Sequence, residues 1–169
     1  MHRTLPSIPP PRERSGEGED DRALTLGLMI AAARALKAIE RGIRPHLAGH
    51  GLQMTEFAVL EVLYHRGPLP LGEIRDRILV TGASTTYVVK KLERRGLVSR
   101  HGSDEDRRVV LGEITPAGRK LMDEVFPVHV EHLRHLMAGL SPHEKRTATR
   151  LMRKLGRHAG SGGPPDRQK

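Results

Sequence analysis

The chain of 169 residues contains no cysteine. That absence removes disulfides, zinc-thiolate sites, cysteine nucleophiles and every thiol-based redox switch at once. Oxidation is left to act through six methionines. Tryptophan is missing too, and the aromatic carbocycles amount to two Phe and two Tyr. A core must therefore be assembled from Leu, Ile, Val, Ala and Met, which helices pack readily, and an all-β sandwich or a large aromatic pocket is disfavoured. No apolar run approaches the roughly 18 residues of a membrane span. The longest, Ala23 to Ala33, is interrupted by Thr25 and Gly27. Glu13, Glu17, Glu19 and Asp20 precede it where a signal peptide carries basic residues, so a cytoplasmic protein that does not cross a membrane is expected.

What is present in excess is positive charge. Lys and Arg number 29 against 20 Asp and Glu, a formal net charge of +9. In a cytosolic protein such an excess points to a polyanionic partner, nucleic acid first and anionic lipid second. The length suits one domain with extensions.

Residues 1–20 hold Pro6, Pro9, Pro10, Pro11, Gly16 and Gly18 with few apolar side chains, and read as a disordered arm. Residues 158–169, with Gly160, Gly162, Gly163, Pro164 and Pro165, read as a disordered tail. Between them, Leu24, Leu28, Ala31, Ala35, Ile39 and Ile43 recur at helical spacing, predicting a long amphipathic first helix from Asp21 to about Leu47. Pro45 predicts a kink or an early stop near Arg44. A second helix is predicted over Thr55 to Tyr64 and a short third over Leu71 to Leu79. A fourth runs from an N-cap at Thr81 to Arg95, with Gly96 supplying a left-handed stop. The period then changes to that of a β-hairpin, Leu97 to Arg100 and Val109 to Ile114, around the charged turn His101 to Asp106. Thr115 and Pro116 open a fifth helix to about Met137, with a kink expected at Pro127. A capping box of Ser141 and Glu144 opens a sixth that runs to about Arg157.

Helix, turn, helix and hairpin in this order lay the second helix in a DNA major groove with the hairpin beside it. At about 100° per residue, Thr85, Val88, Val89 and Leu92 of the fourth helix share one side. Ala83, Thr86, Tyr87, Lys90, Lys91 and Arg94 share the other, with Ser84 at the border. Hydroxyls near the N-terminus, a Tyr, and cations toward the C-terminus suit contact with base edges and phosphates. A solvated helix face with cations favouring the helix dipole is the plainer alternative, and the hairpin that follows tilts the reading away from it.

The hairpin supplies a more specific signal. Asp106, Arg108, Thr115 and Gly118 fit the pattern Asp, any, Arg, six residues, Thr, two residues, Gly, and Leu92 to Val98 precedes it. Here the chain resembles the MarR family of winged helix-turn-helix transcription regulators, strongly over Leu69 to Gly118 and more weakly from about Leu24 to Leu155. The resemblance implies a mainly α fold with a small β-hairpin wing, a DNA-binding lobe at about residues 53–114, and dimerisation helices from both termini, about 21–48 and 116–157. It implies that Arg108, with Arg107 beside it, enters the minor groove and that Asp106 holds the wing. Thr81, Gly82, Ala83, Ser84 and Thr86 would read bases, and Tyr87, Lys90 and Lys91 would contact bases or phosphates. Two departures stand out: Gln53 where the family has a helix-capping Thr, and Gly112 with Glu113 in place of a β-branched pair. The first predicts a shifted helix start and the second a looser wing.

Family members are homodimers. The apolar residues Leu121, Met122, Val125, Val128, Leu133 and Leu136, with Leu151, Met152 and Leu155, independently call for a partner surface. Such a dimer would read a pseudo-palindromic operator in double-stranded DNA. The resemblance also implies a small aromatic or phenolic effector, bound where the first two helices meet the wing lobe. His46, His50, Phe57 and Tyr64 are the lining candidates, although ordinary core packing suits each. Val80 to Val98 looks most like quinone-stress regulators within the family, and sensing here would be noncovalent for want of a thiol.

His129, His132 and His135 repeat every three residues on the fifth helix and invite a metal reading. A drifting stripe meets tetrahedral ligation poorly without a second element, so no cofactor is expected. No Gly-rich phosphate loop, paired carboxylates or G-x-S-x-G nucleophile is present, and an enzyme is not expected. Residues 141–169 carry 8 basic and 2 acidic side chains, which keeps a low-specificity DNA-coating protein as the alternative beside a metal-responsive regulator.

Overall fold

The structure is a computed structural model that describes residues 16–78, 85–102 and 108–161. The elements run α1 (Gly16–Gly49), α2 (Met54–Arg66), β1 (Leu69–Pro70), α3 (Leu71–Arg77), α4 (Thr85–Arg94), β2 (Val98–Gly102), β3 (Val110–Ile114), α5 (Pro116–Leu136) and α6 (Pro142–Ser161). The chain divides into two compact units, residues 1–41 and 42–169. In the first, α1 leaves Leu24, Leu26, Leu28, Met29, Ile30 and Leu36 exposed.

The second unit holds the core. Leu47 and Leu52 join Phe57, Val59, Leu60 and Leu63 of α2, Ile74 of α3, Val88, Val89 and Leu92 of α4, and Met122 and Val125 of α5, all buried. These are the apolar positions at helical spacing, now turned inward. The strands form one antiparallel sheet in the order β1-β3-β2. Val98 pairs with Ile114 and Gly102 with Val110. Leu69 pairs with Gly112 and Pro70 with Leu111, so the predicted hairpin gains a third, two-residue strand. Pro70 is tolerated because β1 lies at the sheet edge, where a missing N–H breaks no inner ladder.

Several boundaries differ from the sequence-based expectations. The first helix is already formed at Gly16, inside the expected arm. It also continues through Pro45 to Gly49. An interior proline costs about 3 kcal/mol, and burying Ile43 and Leu47 on either side, at about 1.5–3 kcal/mol each, offsets it. Pro127 likewise lies inside α5, between the buried Val125 and His129. The sixth helix extends to Ser161, past the expected start of the tail, and none of its residues is buried.

The two departures from the family pattern are absorbed locally. The second helix starts at Met54, and Glu56 reaches back so that its Oε2 accepts the Gln53 N–H at 2.8 Å. Glycine at 112 is matched by α3: a Cβ there would stand 3.1 Å from Ile74 Cδ1 and 3.4 Å from Leu71 Cδ2. The space that a β-branched residue would fill is taken by those side chains, and the strand keeps its register.

Candidate nucleic-acid interface

The fourth helix has two chemically distinct sides. Thr85, Val88, Val89 and Leu92 are buried, whereas Thr86, Tyr87, Lys90 and Arg94 are exposed, Tyr87 to 61%. Tyr87 makes no ring contact among the described residues. Thr81, Gly82, Ala83 and Ser84, expected to read bases, lie outside the described residues.

Lys91 is placed differently from the expectation. Its Nζ lies 3.0 Å from Glu56 Oε1, and Arg95 Nη1 lies 3.3 Å from the same oxygen. Glu56 is 2% exposed, so its charge must be met by protein groups. Burial is the largest influence on this carboxyl and pushes its pKa up. The Gln53 amide, Lys91 and Arg95 together outweigh it and hold the group below its usual range. The wheel put Lys91 at the flank of the exposed side, and its long stem lets the ammonium turn inward to α2. This clamp was not legible in the sequence, because the pairing spans 35 positions (91 − 56).

A second ion pair ties the helix to the wing. Arg100 of β2 donates from Nε to Glu93 Oε2 at 2.8 Å, with its terminal nitrogen at 2.6 Å. His101 Nε2 lies 3.2 Å from Glu113 Oε2 across the two strands. Arg108 is exposed where the chain re-enters β3, and Asp106 and Arg107 lie outside the described residues.

The rest of the wing pattern is structural. Thr115 Oγ1 accepts the Gly118 N–H at 3.1 Å as the N-cap of α5 and donates to the Gly96 carbonyl at 2.7 Å. One hydroxyl thus joins the helix start to the exit of α4, where Gly96 has the left-handed φ of 70° expected for it. Gly118 is required by a close approach: a Cβ there would stand 2.1 Å from the Leu97 carbonyl oxygen.

The expected effector-lining residues separate into two groups. His46 of α1 and His50 just after it lie 5.1 Å apart between ring centroids, and His46 stacks near His132 at 4.8 Å and His129 at 5.6 Å. Phe57 of α2 meets His129 at 4.4 Å. His132 shares a hydrogen bond with the Gly42 carbonyl, Nε2 to oxygen 2.9 Å. Tyr64 is elsewhere, donating to Asp123 Oδ1 at 2.6 Å with the Arg119 guanidinium 5.4 Å from its ring centre. The histidine row on α5 also splits: His129 is buried, His132 half-buried, and His135 exposed. Among the described residues no group of three or more His, Asp or Glu is arranged to hold a metal ion. Among them too, no helix is long and apolar enough to cross a membrane.

A helix pair followed by a two-stranded hairpin, with a short strand from before the pair completing the sheet and one helix offering a polar face beside it, defines a winged helix-turn-helix protein. The model of the MarR family matches residues 52–110. The HTH-type transcriptional regulator MhqR of Bacillus subtilis (strain 168) is 41% identical over 135 residues, covering 80% of this chain and 93% of that protein. The HTH-type regulator YkoM of the same organism, uncharacterized, is 39% identical over 144 residues, covering 85% and 92%. Among solved structures, Bordetella bronchiseptica BpsR, described as regulated in DNA binding by 6-hydroxynicotinic acid, aligns with a TM-score of 0.68 and 26% identity over 78% of this chain and 98% of that one. The chain belongs to the MarR family of transcriptional regulators.

Proposed function

We propose that this regulator acts as a homodimeric repressor that reads a pseudo-palindromic operator and leaves it when a small aromatic or phenolic molecule binds. The observation that carries the DNA reading is the division of α4. One side is locked into the core, and Thr86, Tyr87 and Lys90 project from the other beside the wing that bears Arg108. The hydroxyls and the Tyr suit base edges, Lys90 suits a phosphate, and an arginine at the wing suits the negative potential of a narrow A·T-rich minor groove. The sequence reading adds Thr81, Gly82, Ala83 and Ser84 as base readers and Arg107 and Asp106 as residues of the wing motif, all outside the described residues. Lys91 is assigned instead to Glu56.

The dimer reading rests on apolar surface. Leu24, Leu28 and Leu36 on α1, and Leu151, Met152 and Leu155 on α6, are exposed, Leu24 to 64% and Leu155 to 47%. Each helix on its own presents apolar residues that a second copy would cover, and a two-fold dimer matches a two-fold operator. The DNA-binding lobe is assigned to about 53–114, and the dimerisation helices to the flanking segments of a cytoplasmic protein.

Release by a phenolic effector is supported by BpsR, a relative in fold and sequence that responds to a hydroxylated aromatic acid. The likeness of Val80 to Val98 to quinone-stress regulators directs the first screen to phenols and hydroquinones. With no cysteine, the response is noncovalent and reversible on dialysis. The test is nuclease protection of the DNA upstream of the chain's own gene. Two-fold symmetric protection that shifts when Thr86 or Tyr87 is replaced by alanine supports the reading. Protection that covers all sequences alike refutes it.

A further inference from the structure

His46 at the end of α1, His50 in the turn just after it, and His129 and His132 of α5 bring four imidazoles together, with Phe57 of α2 against His129. Two ring nitrogens, His46 Nε2 and His129 Nδ1, are buried and make no hydrogen bond. The groups acting on His46 electrostatically are His132 and His50, and those acting on His129 are His46 and His132. What α2 contributes against them is an uncharged phenyl ring. No carboxylate among the described residues acts on either group, so a proton taken up here meets only other imidazoles.

We propose that this histidine cluster is a proton sensor: acidification charges it, parts α5 from α1 and α2, and thereby lowers the affinity of α4 and the wing for DNA. The inference rests on the reading of α4 as the DNA-binding helix. Two routes connect the cluster to that helix and the wing. Phe57, in contact with His129, is preceded in the chain by Glu56, which pairs with Lys91 of α4 and with Arg95 just past its end. The fifth helix, which carries His129 and His132, begins at Pro116, directly after the wing strand and its Thr115 cap. A displacement of α5 therefore reaches both the wing and α2.

The chemistry sets the direction and the window. Burial, and then the neighbouring imidazoles, lower His46 and take His129 from 6.5 to about 4. With folded values below the ordinary one, the closed seam binds fewer protons than the opened one. It is fully favoured above about pH 6.5 and loses ground as pH falls toward 4. For His129 alone, the balance between closed and opened forms shifts about tenfold between pH 7.5 and 5.5.

The experiment compares the full chain with His129→Leu, and with His135→Leu as a control on the exposed part of the same helix. DNA affinity on the operator and on random DNA is measured from pH 7.5 to 5.5, alongside thermal unfolding without DNA. The wild type and the His135 variant are expected to lose more operator affinity than His129→Leu over that range, by at most about tenfold. His129→Leu should also lose less of its melting temperature. His46→Leu serves as a second variant if His129→Leu does not fold. Equal pH dependence of all variants in both measurements overturns the proposal. A chain that binds no operator at pH 7.5 refutes the DNA reading instead, and the melting comparison still decides the proton sensor.

Discussion

Replacing Glu56 by Gln tests the clamp between α2 and the proposed recognition helix. The substitution keeps the shape of the side chain and removes its charge. Breaking a buried pair by deleting one partner costs about 3–5 kcal/mol when the remaining charge stays buried. Here the remaining charges are Lys91 and Arg95, whose side chains are each 34% exposed and can turn to water. The Gln53 N–H, at 2.8 Å, keeps an acceptor in the Gln amide oxygen. The expected loss is therefore about 2 kcal/mol, between a buried pair and a surface one. For a chain of this size that lowers the melting temperature by about 4–8 °C at pH 7. The penalty should shrink as pH falls below the ordinary carboxyl range. Glu56 is held below its unfolded value, so its contribution is present above that value and is lost as it protonates. A double-mutant cycle with Lys91→Ala should return a coupling of about 1 kcal/mol or more. A variant that melts within about 1 °C of the wild type, or a cycle with no coupling, would show that the pair carries no net stabilisation.

The other expectations concern the wing, the DNA face and the dimer. Thr115→Ala should cost about 1–2 kcal/mol in chemical denaturation through the lost cap. Gly118→Ala should cost at least about 3 kcal/mol, because its Cβ meets the Leu97 carbonyl; a milder effect would contradict that close approach. In DNA titrations, Arg108→Ala should lose about 1–3 kcal/mol, mostly on A·T-rich flanks. Lys90→Ala should weaken every sequence alike and reduce the salt slope by about one unit. The double change Leu151→Glu with Leu155→Glu should move the chain from dimer to monomer in sedimentation, and an unchanged dimer would remove α6 from the interface.

Most of the fold was legible because the signals were local. Helical spacing named the buried side of α4 residue by residue, the Ser141–Glu144 capping box forms as expected, and Gly96 takes its left-handed turn. The signature at 106, 108, 115 and 118 marked the wing, although two of its members, Thr115 and Gly118, turn out to join the wing to α4 and α5. What sequence reasoning missed depends on tertiary contact. The strand β1 consists of two residues and exists only because β3 passes beside it. Pro45 stops no helix because the core holds both sides of it. Lys91 read as a contact to bases or phosphates, and nothing local showed that a buried carboxylate from another helix stands 3.0 Å from it. The histidine stripe on α5 carried no sign that two of its members would meet His46 of α1.

The most direct test of the central claim is equilibrium binding of the purified chain to the DNA upstream of its own gene, against random DNA of equal length, across a salt series. A sequence-specific regulator predicts a preference of about 10³ or more for the operator, maintained as salt weakens both. A ratio near one at every salt concentration would contradict the account, and would mean that the basic chain coats DNA without reading it.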